Sequence, residues 1–212
     1  MNGTPVGLSR DLAAKGVMRA EVQQHDVVVW RGPDGDLHAW NNRCPHRGMR
    51  LSHGFVRGDK LACLYHGWHY GKGGGCAYIP AHPDLEPPAT ITAQVYNVAE
   101  TDGVIWADVD ELPTAPRADV AMVPLRSLAF SSTAQSALSA LAAEPFGDDV
   151  PQNVAPATLM VGGLRVTVFA STLGPHTTLV HICVEATASL PRLKALSRWA
   201  EAARRTSEGQ TV

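Results

Sequence analysis

The chain has 212 residues, enough for one large domain or two small ones. Its hydrophobic content of 45% is ordinary for a globular protein, and a formal net charge of −2 argues against nucleic acid or an anionic membrane as a partner. It contains no run of about 18 apolar residues and no secretory pattern at Met-Asn-Gly-Thr-Pro, so we expect a cytoplasmic protein.

Short β-strands are predicted through the first half of the chain. Apolar, β-branched and aromatic residues recur in four segments, at 27–30, 37–40, 91–98 and 104–106. Gly-Pro-Asp-Gly at 32–35 is a strong turn signal and predicts a hairpin between the first two. The glycine-rich run at 71–75 lacks the spacing of a phosphate-binding loop and a following helix, so it also predicts a hairpin turn.

The second half predicts a mixture of helix and strand. Residues 113–123 are interpreted as a linker, and the following Ala-, Ser- and Leu-rich segment predicts a helix over 125–144. Strands are predicted at 164–170 and 177–185, and a capped helix with proline in its first turn at Ser189-Leu-Pro191. Apolar residues then recur at helical spacing and predict one buried stripe: Leu190, Leu193, Leu196, Trp199 and Ala203.

Two short segments carry the chemistry, Cys44-Pro-His46 and Cys63-Leu-Tyr-His66. Each offers one thiolate and one imidazole, and two cysteines on one iron with two histidines on the other hold a Rieske 2Fe-2S centre. A structural zinc site is the alternative for four such ligands, although zinc sites usually pair cysteines as Cys-x-x-Cys. A disulfide between Cys44 and Cys63 is also conceivable, but it would leave both histidines unexplained. We therefore predict a 2Fe-2S cluster.

The stretches at 44–54 and 63–70 resemble the Rieske domain of the ring-hydroxylating and demethylating non-heme iron oxygenases. The resemblance extends from about residue 5 to residue 108 and names Cys44, His46, Cys63 and His66 as the cofactor and metal ligands. It implies a mostly β N-terminal domain at 1–112, an antiparallel β-sandwich with two cluster-binding loops. A small α+β domain at 124–212 would follow the linker, shortened relative to the oxygenase catalytic domain.

The loop sequences indicate a low-potential cluster. High-potential Rieske proteins add a cysteine to each loop, and Met49 and Tyr65 stand there instead. A serine after the second loop is also missing, since Gly67-Trp68 follows His66, and fewer hydrogen bonds to sulfur stabilise the reduced cluster less. The remaining cysteines, Cys76 and Cys183, are interpreted as ordinary reduced thiols.

Four further residues lie near the loops in the sequence. His53 and His69 lie outside the ligand positions, and His53 is interpreted as a surface residue or a hydrogen-bonding neighbour of the cluster. Trp68 and Tyr70 are predicted to pack around the second loop, where a buried tyrosine hydroxyl could donate a hydrogen bond.

Residues 41–60 contain an excess of basic side chains over the single acid Asp59: Arg43, Arg47, Arg50, Arg57 and Lys60. This local charge of +4 is either a solvated face or a surface that steers an acidic electron donor to the histidines.

The oxygenases that the chain resembles also hold a mononuclear iron with two histidines and one carboxylate. His176 and His181 have the spacing of that pair, but Leu173 stands where the family usually has an aspartate. β-branched residues run between the two histidines and predict a strand, in which residues five apart face opposite sides. With Glu185 as the nearest carboxylate, we interpret them as strand histidines and do not expect a mononuclear iron.

The sequence favours an electron-transfer protein or oxygenase subunit, with no catalytic residue apart from the cluster ligands. It would accept single electrons from a reductase or ferredoxin and pass them to an oxygenase component, within a homo- or hetero-oligomer. One alternative is a self-contained mono- or dioxygenase with an iron site in 120–212. Another is a redox-sensing or assembly subunit. The reductase donor, the acceptor and the substrate of the pathway are not specified by the residues.

Overall fold

The computed structural model describes residues 3–115, 119–155 and 157–209. In these residues the fold is mostly β, with three sheets and two α-helices, which confirms the predicted fold class. Neither helix of the described chain is both long and apolar enough to cross a membrane.

The first part of the chain contributes ten strands. Their bounds are β1 (Thr4–Leu8), β2 (Val17–Val22), β3 (His25–Arg31), β4 (Leu37–Asn41), β5 (Phe55–Arg57), β6 (Lys60–Ala62), β7 (His69–Tyr70), β8 (Cys76–Tyr78), β9 (Val95–Thr101) and β10 (Val104–Asp108). One sheet has the order β1-β10-β9-β4-β3-β2, and the other has the order β5-β6-β7-β8.

The two sheets share one hydrophobic core, as expected for a sandwich. Val28, Trp30 and Trp40 from β3 and β4 pack in one cluster with Leu61 from β6 and Tyr70 from β7. All five side chains are fully buried, so the strands are held by apolar burial on their inner faces.

Both predicted hairpin turns are present. Gly32 donates to the Asp36 carbonyl (2.8 Å) between β3 and β4, and Gly71 donates to the Gly75 carbonyl (2.9 Å) between β7 and β8. Lys72 in the second turn forms ion pairs with Asp34 and Asp36, which ties the two turns together.

The strand predicted at 91–98 begins later, at Val95. Ile91 donates to the Pro88 carbonyl in a turn, and its own carbonyl accepts from Cys76. The prediction was wrong for residues 91–94 because this segment pairs locally with the neighbouring hairpin.

The described residues that follow form one further sheet and both helices. Their elements are β11 (Met122–Phe130), α1 (Ala134–Ala143), β12 (Gln152–Ala155), β13 (Thr158–Val161), β14 (Leu164–Thr172), β15 (Thr178–Glu185) and α2 (Leu190–Ser207). The strands form one sheet in the order β11-β15-β14-β13-β12. Both helices contribute to a single core with the strands, through residues such as Leu141 of α1, Ile182 of β15 and Leu196 of α2.

The helix predicted over 125–144 is wrong in its first part. Residues Leu125–Phe130 lie in β11, which pairs antiparallel with β15 from Met122 opposite Glu185 to Phe130 opposite Thr178. The helix begins at Ala134, where the Thr133 hydroxyl accepts from the Ser136 amide at 3.2 Å and caps it. Pairing with a distant strand therefore overrides the local helix propensity.

The second predicted helix is present with two corrections. Leu196, Trp199 and Ala203 are buried in the core, but Leu190 at the start of the stripe is 65% exposed. Ser189 occupies the N-cap position, yet its side chain makes no capping hydrogen bond, and Pro191 lies in the first turn as predicted.

Packing divides the described chain into two compact units. The first comprises residues 3–4, 10–99 and 106–115, and the second comprises 5–9, 100–105 and the described residues from 119 to 209. Residues 116–118 of the predicted linker lie outside the described residues. The predicted domain limits, 1–112 and 124–212, stay predictions.

Candidate metal centre

The first loop follows β4 and closes tightly on itself. The Cys44 amide donates to the Met49 carbonyl at 2.8 Å, and the Gly48 amide donates to the Cys44 carbonyl at 2.8 Å. Gly48 has a φ of +71°, a conformation that favours glycine because it has no Cβ.

The second loop, which follows β6, repeats this geometry. The Cys63 amide donates to the Trp68 carbonyl at 2.9 Å, and the Gly67 amide donates to the Cys63 carbonyl at 3.0 Å. Gly67 has a φ of +69°. Each glycine lies four residues after its cysteine, so the two loops share one closure although their histidines are offset by one position.

The two loops bring the predicted ligands together in two layers. Cys44 and Cys63 are buried, whereas His46 is half-buried and His66 is exposed. The imidazole centroids of His46 and His66 lie 4.8 Å apart, tilted by 59°. The His46 ring stacks on Trp68, with centroids 4.0 Å apart, so Trp68 beside the second loop contacts the histidine of the first loop.

Both cysteine sulfurs accept or share hydrogen bonds. The Cys44 Sγ lies 3.1 Å from the Tyr70 hydroxyl, and the backbone amides of Tyr65 and His66 donate to the Cys63 sulfur. Burial raises the pKa of Tyr70, and the neighbouring Cys44 sulfur raises it further, so the phenol keeps its proton and can donate. The sequence suggested such a hydroxyl bond, which adds one donor to the sulfur environment.

The donor set fits a 2Fe-2S cluster. All four cysteines of the chain are free thiols in the structure, so Cys44 and Cys63 do not form a disulfide. Burial raises the pKa of Cys63, and a buried thiolate there needs a cation beside it. Burial, His66 and Arg47 together lower the pKa of His46, which favours the neutral imidazole that binds metals.

A structural zinc ion would need about four of these side chains around one point. Within residues 3–115, 119–155 and 157–209, no three Cys, His, Asp or Glu side chains form a group that could hold one metal ion. A Rieske centre needs only two protein ligands at each iron, and two Cys-His loops can supply them as pairs.

A polar network that the sequence did not reveal fixes the first loop. Asn42 is fully buried, and its amide donates to Asp26 (3.0 Å) and to the Ser52 hydroxyl (2.9 Å), while its carbonyl oxygen accepts from the Ser52 amide (2.7 Å). Asp26 also accepts from Arg50 (2.9 Å) on the far side of the loop. Asn42 directly follows the strand and stands two residues before Cys44, a position that could have drawn attention to it.

The remaining predicted neighbours lie at the edge of the site. His53 is exposed, and His69 lies in β7 with its ring 5.1 Å from that of Tyr78. Cys76 lies in β8 directly opposite Tyr70 in the strand pairing. Burial raises the pKa of the Cys76 thiol, in line with its interpretation as a reduced thiol.

The two histidines of the second half occupy different structures. His181 lies in β15 and is buried, with its Nδ1 2.9 Å from the Ser127 hydroxyl. His176 lies in the turn before β15 and is exposed, so the prediction of two strand histidines was wrong for this residue. Glu185, at the end of β15, accepts from the Arg165 amide at 3.4 Å.

The comparisons with known proteins agree with this geometry. The chain is 40% identical over 113 residues to oxidoreductase NdmD of Pseudomonas putida, covering 53% of this chain and 19% of that protein. It is 37% identical over 118 residues to 4beta-methylsterol monooxygenase of Methylococcus capsulatus, covering 50% of this chain and 31% of that protein. The chain therefore spans less than a third of the length of these curated relatives.

Solved structures show that the fold extends beyond the ligand loops. Dicamba monooxygenase bound to dicamba superposes with a TM-score of 0.74 at 16% identity, covering 98% of this chain and 85% of that chain. Pseudomonas putida CBB5 NdmA gives a TM-score of 0.70 at 20% identity and covers 98% and 81%. The family model of the Rieske [2Fe-2S] domain matches residues 2–111, which include both loops. This chain belongs to that family, whose cofactor is a Rieske-type 2Fe-2S cluster.

Proposed function

We propose that Cys44, His46, Cys63 and His66 hold a 2Fe-2S cluster and that the chain carries single electrons. The observation that supports this most directly is the pair of equivalent loops. Each is closed by the same two backbone hydrogen bonds and presents one buried cysteine and one histidine nearer the surface. When bound, the cluster supplies one-electron redox chemistry at a low potential.

The residues around the loops have two roles: some donate hydrogen bonds to the cysteine sulfurs, and the histidines connect the site to the surface. Tyr70 and the amides of Tyr65 and His66 donate to the sulfurs, which stabilises added negative charge there. His46 and His66 would each hold the cluster through one ring nitrogen and would leave the other nitrogen to carry a proton. Because His66 is exposed, an electron can enter or leave through its ring edge without a channel through the core.

The partners follow from the same role. We expect a reductase or a ferredoxin as the donor and an oxygen-activating component as the acceptor, in a cytoplasmic setting. The relatives support an oxygenase system, since they include the methylxanthine N1-demethylase NdmA, which is 34% identical over 95 residues and of which this chain covers 27%.

A self-contained oxygenase subunit is the second candidate. The observation in its favour is the superposition on dicamba monooxygenase, which spans 98% of this chain and so extends over the β11–β15 sheet and the two helices. Such a subunit would bind a further iron and turn over an organic substrate with oxygen.

A coulometric titration separates the two candidates. Protein purified without oxygen and fully oxidised is expected to take up one electron per chain, with a rhombic signal of the reduced cluster in electron paramagnetic resonance. Uptake of two electrons per chain would favour the oxygenase subunit, and no uptake with no such signal would contradict the proposed function.

A further inference from the structure

The two ligand loops close on themselves in the same way, but they are attached to the fold differently. The second loop is the turn of a regular hairpin, because β6 ends at Ala62, directly before Cys63, and β7 begins at His69, directly after the loop. Ala62 and His69 are paired across these strands. Strand pairing on both sides therefore holds the base of the second loop.

The base of the first loop has a strand on one side only. β4 ends at Asn41, whereas the chain on the far side of the loop enters a short 3-10 helix at Leu51–His53. A single bridge joins Arg43 and Arg50 within the loop. The two ends of this loop must therefore be joined to each other by contacts of another kind.

Asn42 makes that connection. Its backbone amide donates to the Asp26 carbonyl (2.9 Å), and its carbonyl accepts from the Leu51 amide (3.2 Å). Its side-chain Oδ1 accepts from the Ser52 amide (2.7 Å), and its Nδ2 donates to the Asp26 carboxylate (3.0 Å) and to the Ser52 hydroxyl (2.9 Å). One residue thus ties the far end of the loop to its near end, and both ends to β3.

The partners of Asn42 require a carboxamide. The Ser52 backbone amide can only donate and the Asp26 carboxylate can only accept, so the side chain between them needs an acceptor and a donor on one short branch. An aspartate lacks the donor and would face Asp26, and a leucine of similar shape lacks both groups. Because Asn42 is fully buried, water does not replace a bond that is lost there.

We propose that Asn42 is a positioning residue that sets the geometry in which the first loop presents Cys44 and His46 to the cluster. The inference rests on the proposed function and adds which residue fixes one half of the donor set. Cys44 lies two residues after Asn42, so a shift at the base of the loop moves both donors. The second loop has its strand pairing in the corresponding place.

Asn42→Leu in the holoprotein tests the proposal, because it removes the carboxamide at nearly constant size. Asn97→Leu is the matched control, since it makes the same change at a half-buried residue of β9 that is in neither loop. Hydrogen–deuterium exchange with mass spectrometry follows residues 43–52 and residues 61–70 separately. Electron paramagnetic resonance of the reduced protein reports the geometry at the cluster.

Asn42→Leu should speed exchange in residues 43–52 by roughly tenfold or more and leave residues 61–70 within about twofold of wild type, because only the first loop loses buried hydrogen bonds. The rhombic signal of the reduced cluster should broaden, since the donors of one loop are no longer held in one geometry. Asn97→Leu should change neither property. Ser52→Ala removes only the bond to the hydroxyl, so it should give a smaller change of the same kind, and it replaces Asn42→Leu if that variant does not fold.

An interchange of the two side chains tests the donor and acceptor roles at constant net charge. Asn42→Asp alone should behave like Asn42→Leu, because it places two carboxylates together. Combined with Asp26→Asn, it again sets a donor against an acceptor and should recover the line shape and much of the protection, better than the sum of the two single changes. Arg19, which pairs with Asp26 at 2.7 Å, is exposed and can turn to solvent in the double variant.

Three results would overturn the proposal. The first is unchanged exchange of residues 43–52 in Asn42→Leu, and the second is an equal increase in both loops, which indicates general destabilisation. The third is a double variant that recovers no more than Asn42→Asp alone. A wild-type protein without the cluster spectrum would refute the proposed function instead, while exchange in the two loops would still decide whether Asn42 holds the first one.

Discussion

The hydrophobic clusters of the two compact units differ in composition. In the first unit, Cys44, Cys63 and Tyr70 belong to the same hydrophobic cluster as Trp30 and Trp40. In the second unit, the cluster formed by the sheet and both helices consists of aliphatic and aromatic residues. The candidate metal centre is thus built into a hydrophobic core, whereas the core of the second unit consists of aliphatic and aromatic side chains. Changes in the first should affect cofactor and stability together, and changes in the second should affect stability alone.

The largest effect is expected from a ligand cysteine. Cys63→Ser should abolish the 2Fe-2S absorption and leave less than one iron per chain, because a hydroxyl does not replace a thiolate at this iron. Cys76→Ser and Cys183→Ala are the matched controls, since these thiols lie outside the ligand positions, and both should keep the spectrum. Loss of the spectrum in Cys76→Ser would break the assignment.

A core substitution in the second unit should lower stability and leave the cluster intact. Trp199 is buried on α2, and its Nε1 donates to the Glu144 carbonyl at 2.9 Å. Trp199→Ala should lower the free energy of unfolding of this unit by about 3–5 kcal/mol, with the cluster spectrum unchanged. Leu190→Ala on the same helix removes an exposed side chain and should cost less than about 0.5 kcal/mol. Urea denaturation followed by both protein fluorescence and cluster absorption measures the two properties. Loss of the cluster spectrum in Trp199→Ala would contradict the separation of roles between the units.

The Asp26 network predicts a pH-dependent contribution to stability in the first unit. Burial alone would raise the pKa of Asp26, but hydrogen bonds from Arg19, Asn42 and Arg50 outweigh it and hold the pKa at about 2. Because the folded pKa lies below the unfolded one, the contribution is complete above about pH 4 and is lost as the pH falls towards 2. Asp26→Asn should therefore destabilise the protein by roughly 1 kcal/mol near neutral pH, after allowance for solvent screening, and much less in acid.

Urea denaturation at several pH values measures this difference. Asp59→Asn, which removes a carboxylate paired with Lys60 (2.6 Å) on an exposed turn, is the control and should change stability less. If the difference in unfolding free energy between wild type and Asp26→Asn became larger in acid, the pH dependence would have the opposite sign to the one expected here.

The smallest effect concerns the reduction potential. Tyr70→Phe removes the hydroxyl that lies 3.1 Å from the Cys44 sulfur, which should lower the midpoint potential because the reduced, more negative state loses a donor. A hydrogen bond worth about 1 kcal/mol corresponds to roughly 40 mV for one electron. Tyr78→Phe is the control, since this ring neighbours His69 instead. An equal shift in both variants, measured by redox titration, would contradict a specific role for Tyr70.

The two Cys-His loops were predictable from sequence because their pattern is local. Each loop holds its cysteine and histidine within four residues, and a closing glycine lies at the same offset from both cysteines. The hairpins at 32–35 and 71–75 were predictable for the same reason, since glycine and aspartate determine turns over a few residues.

What the sequence could not show depends on distant partners. Leu125 to Phe130 form a strand only because β15, about fifty residues away in the sequence, pairs with them. Asn42 and Asp26 are joined across sixteen residues, and nothing in either local sequence marks the bond. The exposure of Leu190 likewise depends on where α2 meets its core, which helical spacing alone does not specify.

The iron and acid-labile sulfide content of protein purified without oxygen tests the central claim most directly. The account predicts two irons and two sulfides per chain for wild type. Iron without sulfide, or zinc in place of iron, would contradict the assignment of Cys44, His46, Cys63 and His66 as ligands of a 2Fe-2S cluster.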